Sequence, residues 1–182
     1  MTSGLVLGGG GITGIAWETG LLAGLLDAGV DLTTAGVVIG TSAGSVVGAQ
    51  ITSGTALEEL YERQLRPPEP GPVAAVGPRV PIEGRTYVDG GARSAANADL
   101  AAGCDRVVAL TPITRVVPGL PSTKDHLEEL GVPCLVIAPD AASVAAIGRN
   151  LLDPAARAPS ARAGRAQAAA EAERVRAVWA AS

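Results

Sequence analysis

Short apolar runs alternate with longer amphipathic stretches along most of the chain. Five short runs predict strands, at residues 5–7, 37–39, 85–88, 106–110 and 134–138. The stretches around them predict helices over 12–28, 45–50, 55–65, 97–102, 122–130 and from about 155 onward. Strands that alternate with helices are typical of a parallel sheet covered by helices on both faces. The sequence therefore predicts an α/β fold.

Local signals refine several of these elements. The run 37–39 is wholly apolar and predicts a buried strand. Thr55 with Glu58 has the spacing of a capping box at the start of the helix over 55–65. Residues 66–81 hold six of the thirteen prolines and predict a linker or irregular loop inside a single domain over 1–182. One apolar stripe predicts a C-terminal helix packed on the domain: Ala168, Ala172, Val175 and Trp179.

Composition narrows the function classes. Hydrophobic residues make up 47% of the chain and charged residues 18%, and the net charge of −4 gives no support for nucleic-acid binding. A single histidine and two distant cysteines, Cys104 and Cys134, offer no metal-ligand spacing, so we expect two small buried thiols and no metal. Glu18 interrupts the first apolar stretch, which fits neither a signal peptide nor a membrane-spanning helix. We expect a cytoplasmic protein.

The pentapeptide GTSAG matches the nucleophile-elbow pattern G-x-S-x-G. It follows one predicted strand and precedes a predicted helix, and its residues are Gly40, Thr41, Ser42, Ala43 and Gly44. In such an elbow a strained turn lifts the serine hydroxyl clear of the sheet, and the glycines let the strand and helix approach. The amides that begin the helix favour negative charge near the serine. Ser42 is therefore a candidate nucleophile.

A run of four glycines, residues 8–11, follows the first predicted strand. Residues 9–14 also spell G-x-G-x-x-G, the dinucleotide-binding fingerprint, which needs an acidic residue at the end of the second strand. The second strand ends in glycine and threonine, and Asp31 lies before it. The alternative is an oxyanion hole, in which backbone N–H groups stabilise a developing negative charge. We favour the oxyanion hole because a candidate nucleophile ends the next strand.

A serine nucleophile needs a base. His126 lies among charged residues of a predicted surface helix, where a solvated position explains it. Asp89 ends a predicted strand and is followed by Gly90 and Gly91. It either serves as the base or simply forms a turn. Downstream, Asn97 is expected to be a helix N-cap, whereas Arg93 and Ser94 either line a cleft or belong to a loop.

The three motifs together, GGGGITG, GTSAG and DGG in this order, resemble the patatin-like phospholipases. The resemblance covers residues 4–65 and 84 to about 111. It implies a mainly parallel three-layer α/β/α fold and hydrolysis of acyl esters of phospholipids or neutral lipids without a cofactor. Carried over motif by motif, it makes Ser42 the nucleophile and Asp89 the base of a dyad. The remaining implied residues are the oxyanion donors Gly9, Gly10 and Gly11.

The chain departs from that family between the nucleophile and the base. Only 47 positions separate Ser42 from Asp89, where the family has a longer segment that builds the acyl cleft. We therefore expect an activity that is weak or confined to short esters. Three alternatives to the Ser–Asp acyl hydrolase stay open. They are a Ser42–Asp105–His126 triad esterase, a reduced or designed scaffold with little activity, and a non-catalytic nucleotide-binding module. The C-terminal arginines, interleaved with glutamates, suit a solvated face and would also allow transient contact with a membrane surface.

Overall fold

Four parallel strands form the central sheet of the protein. The computed structural model describes residues 1–67, 80–113 and 121–180. Within them the strands are β1 (Ser3–Leu7), β2 (Val37–Gly40), β5 (Arg106–Leu110) and β6 (Cys134–Ile137), in the spatial order β2-β1-β5-β6. A separate antiparallel hairpin joins β3 (Val80–Ile82) to β4 (Arg85–Tyr87). The predicted α/β class with a parallel sheet is confirmed.

The sequence pattern predicts five of the six described α-helices; it misses the helix over Ala141–Ile147, and the helix predicted over 97–102 is a 3-10 turn. The six helices are α1 (Gly11–Asp27), α2 (Ala43–Ile51), α3 (Leu57–Leu65), α4 (Thr123–Leu130), α5 (Ala141–Ile147) and α6 (Arg157–Trp179). Short 3-10 turns cover Leu32–Thr34, Gly90–Ala92, Ala98–Ala101 and Pro154–Ala156. Because all four sheet strands are parallel, the loops that follow them meet at one edge of the sheet.

The sheet separates two apolar cores. Leu5 and Leu7 of β1 face one side and pack with α1, α2, α3, α5 and α6. Val6, between them, faces the other side and packs with α4 and with the 3-10 turn over Ala98–Ala101. The alternation of side chains along a strand puts neighbours on opposite faces, and here both faces are covered by helices. The result is consistent with a three-layer α/β/α arrangement.

Glycines allow α1 and α6 to pack unusually closely. A Cβ added at Gly20 would lie 2.0 Å from the carbonyl oxygen of Ala161, and one added at Gly164 would lie 2.3 Å from that of Trp17. The two backbones therefore touch without intervening side chains. The stripe predicted for the C-terminal helix is confirmed: Ala168, Ala172 and Val175 are buried, and Trp179 is partly buried.

The structure corrects three local predictions. β2 is not buried, because it forms an edge of the sheet and leaves Val37 37% exposed. The capping box at Thr55 is wrong, since Ala56 occupies the N-cap without a side-chain bond and the Thr55 hydroxyl pairs with Ser53. Most of the proline-rich segment predicted over 66–81 lies outside the described residues, and its last two positions belong to β3.

Candidate active site

One cavity of about 590 Å³ brings the three motifs together at the carboxyl edge of the sheet. The glycine run reaches it from β1, the elbow from β2, and the DGG turn from the segment after β4. Its motif residues are Gly9, Gly10, Gly11, Ser42, Asp89 and Gly91. The chain segments are far apart in sequence, so their meeting depends on the parallel order of the strands.

Ser42 has the backbone geometry expected of a nucleophile elbow. Its φ of 52° and ψ of −111° are strained for a residue with a side chain. Gly44 accounts for the sharpness of the turn, because a Cβ there would lie 2.1 Å from the carbonyl oxygen of Leu7. Its amide also bonds the carbonyl oxygens of Gly8 and Thr41, both at 2.9 Å. Among the described residues, the half-buried Ser42 hydroxyl has no hydrogen-bond partner.

Asp89 lies in the same cavity and also forms a turn. Its Oδ1 accepts a hydrogen bond of 2.7 Å from the Gly91 amide and so caps the 3-10 turn that follows. The second carboxylate oxygen has no hydrogen-bond partner among the described residues. No hydrogen bond joins Asp89 to Ser42 within the described chain. The two side chains share one cavity, and proton transfer between them requires a closer approach of Asp89 to Ser42.

The glycine run supplies fewer free amides than its sequence suggests. Gly9 is wrong as an oxyanion donor, because its amide donates to the Ala95 carbonyl oxygen at 2.8 Å and an N–H carries one hydrogen. The amides of Gly10 and Gly11, at the start of α1, have no acceptor among the described residues. The same holds for the amide of Ala43, the residue after the candidate nucleophile. These three amides can stabilise a developing anion.

The side chain of Asn97 does not make the N-cap bond that the sequence predicts. The residue stands at the N-cap position of a 3-10 turn, yet its side chain makes no cap bond. Instead its Nδ2 lies 2.9 Å from Thr41 Oγ1 and 3.1 Å from the Gly90 carbonyl oxygen. In the sequence, its position between two small residues, Ala96 and Ala98, is the signal that could indicate burial. The structure buries both alanines fully.

The side chains around the motifs are mainly aliphatic. Among those that line the cavity are Ala95, Ile113, Val136, Ala138, Leu151 and Leu152. The exposed ammonium of Lys124 lies at the rim, together with Ser122, which caps α4 by accepting from the Asp125 amide. Ser94 also lines the cavity, whereas Arg93 pairs with Asp99. An apolar lining with few polar groups is typical of small-molecule sites.

A buried carboxyl lies beneath the glycine run. Glu18 of α1 is 0% exposed, and neither of its oxygens has a hydrogen-bond partner among the described residues. Burial raises the pKa of this carboxyl well above its ordinary value, and the nearby Gly8 backbone offsets only part of that effect. The neutral form of Glu18 is therefore favoured in the folded state.

The structure does not assemble the alternative triad. Asp105 precedes β5, so it lies at the amino edge of the sheet, where it accepts from the Thr2 amide. His126 is buried, not solvated as expected, and its Nδ1 lies 3.6 Å from Asp99 Oδ1. The Arg93 guanidinium lowers the pKa of Asp99. Neither Asp105 nor His126 is among the residues that line the cavity.

Asp31, Cys104 and Cys134 are not among the residues that line the cavity. Asp31 lies before β2 and accepts from the amide of Thr33, so it does not reach the carboxyl edge. Within residues 1–67, 80–113 and 121–180, no three acidic, histidine or cysteine side chains cluster as metal ligands would. Cys104 and Cys134 are free thiols, buried and half-buried respectively, whose pKa values are raised by burial.

In the part of the chain that the structure describes, no helix has the length and apolar composition needed to cross a bilayer. No protein-family model matches the sequence, and no curated protein sequence matches it either.

Proposed function

We propose that this protein is a patatin-like serine hydrolase that cleaves carboxylic esters of lipids, with a preference for short acyl groups. One observation carries the proposal: Ser42, held in strained elbow geometry, shares a cavity with Asp89 and with the amides of Gly10 and Gly11. A nucleophile, a carboxylate and free backbone donors at one place are the parts that acyl transfer needs. The aliphatic lining suits an acyl chain.

The residues divide the chemistry between them. Ser42 Oγ attacks the ester carbonyl carbon while the Asp89 carboxylate takes the hydroxyl proton. The carbonyl oxygen becomes negative and is stabilised by the amides of Gly10, Gly11 and Ala43. When the intermediate collapses, the C–O bond to the alcohol breaks and Asp89 returns the proton to that alcohol. Water then attacks the acyl-serine, Asp89 accepts a proton from the water, and Ser42 regains it as the acid leaves.

The turn geometry of Asp89 is compatible with this role. The Gly91 amide holds one carboxylate oxygen and leaves the other for the proton. A general base of this kind contributes about 10²–10⁴-fold to the rate. Replacing Asp89 by Asn keeps an oxygen for the Gly91 amide but removes the base, so the variant separates catalysis from the structure of the turn.

Ester turnover and active-site labelling test the proposal. A fluorophosphonate probe should label the wild type at Ser42, and Ser42→Ala should lose both labelling and turnover of a short chromogenic ester. Asp89→Asn should lower kcat by about 10²–10⁴-fold. Ser53→Ala, at an exposed serine of the turn after α2, is the matched control and should behave as wild type.

Two outcomes would contradict the proposal. Turnover that survives in Ser42→Ala would remove the nucleophile, and a wild type that neither labels nor hydrolyses short esters would favour an inactive scaffold. His126→Ala decides between the dyad and the triad, because only the triad requires that imidazole.

A further inference from the structure

A single buried side chain joins the residue before the nucleophile to the residue after the base. The Nδ2 of Asn97 lies 2.9 Å from Thr41 Oγ1, and Thr41 directly precedes Ser42. The same atom lies 3.1 Å from the carbonyl oxygen of Gly90, which directly follows Asp89. Each contact is one residue away from a reacting group.

The orientation of the Asn97 amide is determined by its other partners. Its Oδ1 accepts a hydrogen bond of 2.7 Å from Arg93 Nη1, and a guanidinium can only donate. The oxygen therefore faces Arg93, and the NH₂ group faces Thr41, Gly90 and the Ser94 carbonyl oxygen at 3.2 Å. Asp99 in turn bonds two nitrogens of Arg93 and holds it in place.

Asn97 is also held by its backbone and by burial. Its φ of 50° lies in the left-handed region, which asparagine tolerates better than most residues. The residue is 6% exposed, and its backbone N–H donates a hydrogen bond of 3.1 Å to the Ser94 hydroxyl. The Asn97 side chain is therefore held firmly between the two loops.

Strand pairing does not connect the elbow to the loop that carries Asp89. β2 pairs only with β1, and β4 pairs only with β3, in the described parts of the chain. No ladder therefore connects the elbow to the segment that carries Asp89. The close packing of Gly90 agrees with a direct link, since a Cβ there would lie 3.4 Å from Asn97 Nδ2 and 3.5 Å from the Thr41 methyl carbon.

We propose that Asn97 is a positioning residue that sets the separation of Ser42 and Asp89. The inference rests on the proposed function and goes beyond it, because Asn97 is not among the residues that line the cavity and so acts without touching substrate. A displacement of about 1 Å between reacting groups can cost about 10²-fold in rate. The effect of losing Asn97 should therefore appear in kcat and not in KM.

The substitution Asn97→Asp tests this with little change of shape. It keeps an oxygen for Arg93 and replaces the NH₂ group by a second oxygen, which faces the Gly90 carbonyl with no hydrogen to donate. We expect kcat for a short chromogenic ester to fall about 10- to 100-fold with KM unchanged. Labelling of Ser42 by the fluorophosphonate should slow to a similar extent.

The substitution Thr41→Val tests the same positioning role independently, should Asn97→Asp fail to fold. It removes the hydroxyl that accepts from Asn97 and retains a branched side chain at this buried position. A smaller fall in kcat is expected, because the bond to Gly90 remains. Thermal melting of each variant, compared with Arg165→Lys, which weakens a contact remote from the cavity, shows whether lost stability alone explains the loss.

A double-mutant cycle with Asp89→Asn gives the decisive result. If Asn97 acts through Asp89, adding Asn97→Asp to Asp89→Asn should lower kcat no further. Additive losses, or a rise in KM alone, would overturn the positioning role. Wild-type kcat in both Asn97→Asp and Thr41→Val, with Ser42→Ala inactive, would overturn this inference and leave the proposed function intact. An active Ser42→Ala would instead refute the proposed function itself.

Discussion

Replacing the Glu18 carboxyl by an amide should remove a penalty on folding that grows with pH. Glu18 is 0% exposed, and no described residue donates a hydrogen bond to its oxygens. Burial raises the pKa of the carboxyl well above 4.5, its ordinary value. Above about pH 4.5 the unfolded chain releases this proton while the folded chain retains it, so the folded state binds more protons and its stability falls as pH rises.

The size of the effect follows from proton linkage. Between the unfolded pKa and the raised folded pKa, each pH unit lowers the free energy of unfolding by about 1.4 kcal/mol. In Glu18→Gln that slope is absent, whereas any constant cost of burying an amide is the same at every pH. The stability of the variant relative to wild type should therefore improve by about 1.4 kcal/mol for each unit of rising pH in this window.

Urea unfolding of both proteins at several pH values from about pH 4.5 upward measures this difference. Other groups titrate equally in the two proteins and cancel in the comparison. Glu62→Gln, at an exposed position of α3, controls for the general loss of one carboxyl. If wild type and Glu18→Gln keep a constant difference across this range, the carboxyl is not buried and neutral, and the reasoning is refuted.

Two further predictions concern the contacts of α6. Gly164→Ala should lower the free energy of unfolding by about 1–3 kcal/mol, because its Cβ would lie 2.3 Å from the Trp17 carbonyl oxygen. If urea unfolding shows a higher free energy of unfolding instead, as for an ordinary helix glycine, the close approach is contradicted. Arg165→Lys should cost about 1 kcal/mol, with a smaller loss at high salt, because it gives up hydrogen bonds to Asp27 and Glu58 and the stack on Tyr61. The exposed Arg162→Lys is its control and should change little.

The four sheet strands, most of the helices and the elbow could be predicted because their signals are local. GTSAG requires Gly44 where α2 meets the Leu7 backbone and Gly40 where β2 meets the start of α2, and that constraint is visible in the pentapeptide itself. The state of the Gly9 amide could not be predicted, since its acceptor, the Ala95 carbonyl, lies in a distant loop. The burial of His126 and the role of Asn97 depend in the same way on contacts that form only in the folded chain.

The predictions that failed at Thr55 and at β2 have different causes. The spacing of Thr55 and Glu58 fits a capping box, but the Ser53 hydroxyl offers Thr55 a competing partner. An apolar run such as 37–39 predicts a strand, yet it does not say whether another strand lies beyond it. Edge or centre is a property of the whole sheet, and periodicity along one segment carries no information about it.

The contact between α1 and α6 has a consequence for how the protein is made. At about 5–20 residues per second, the ribosome finishes α6 roughly 8–30 s after α1. Until then, the apolar surface of α1 that includes Leu21 and Gly24 has no covering helix. This apolar face of α1 therefore stays uncovered through most of the synthesis of the described chain, until α6 packs on it.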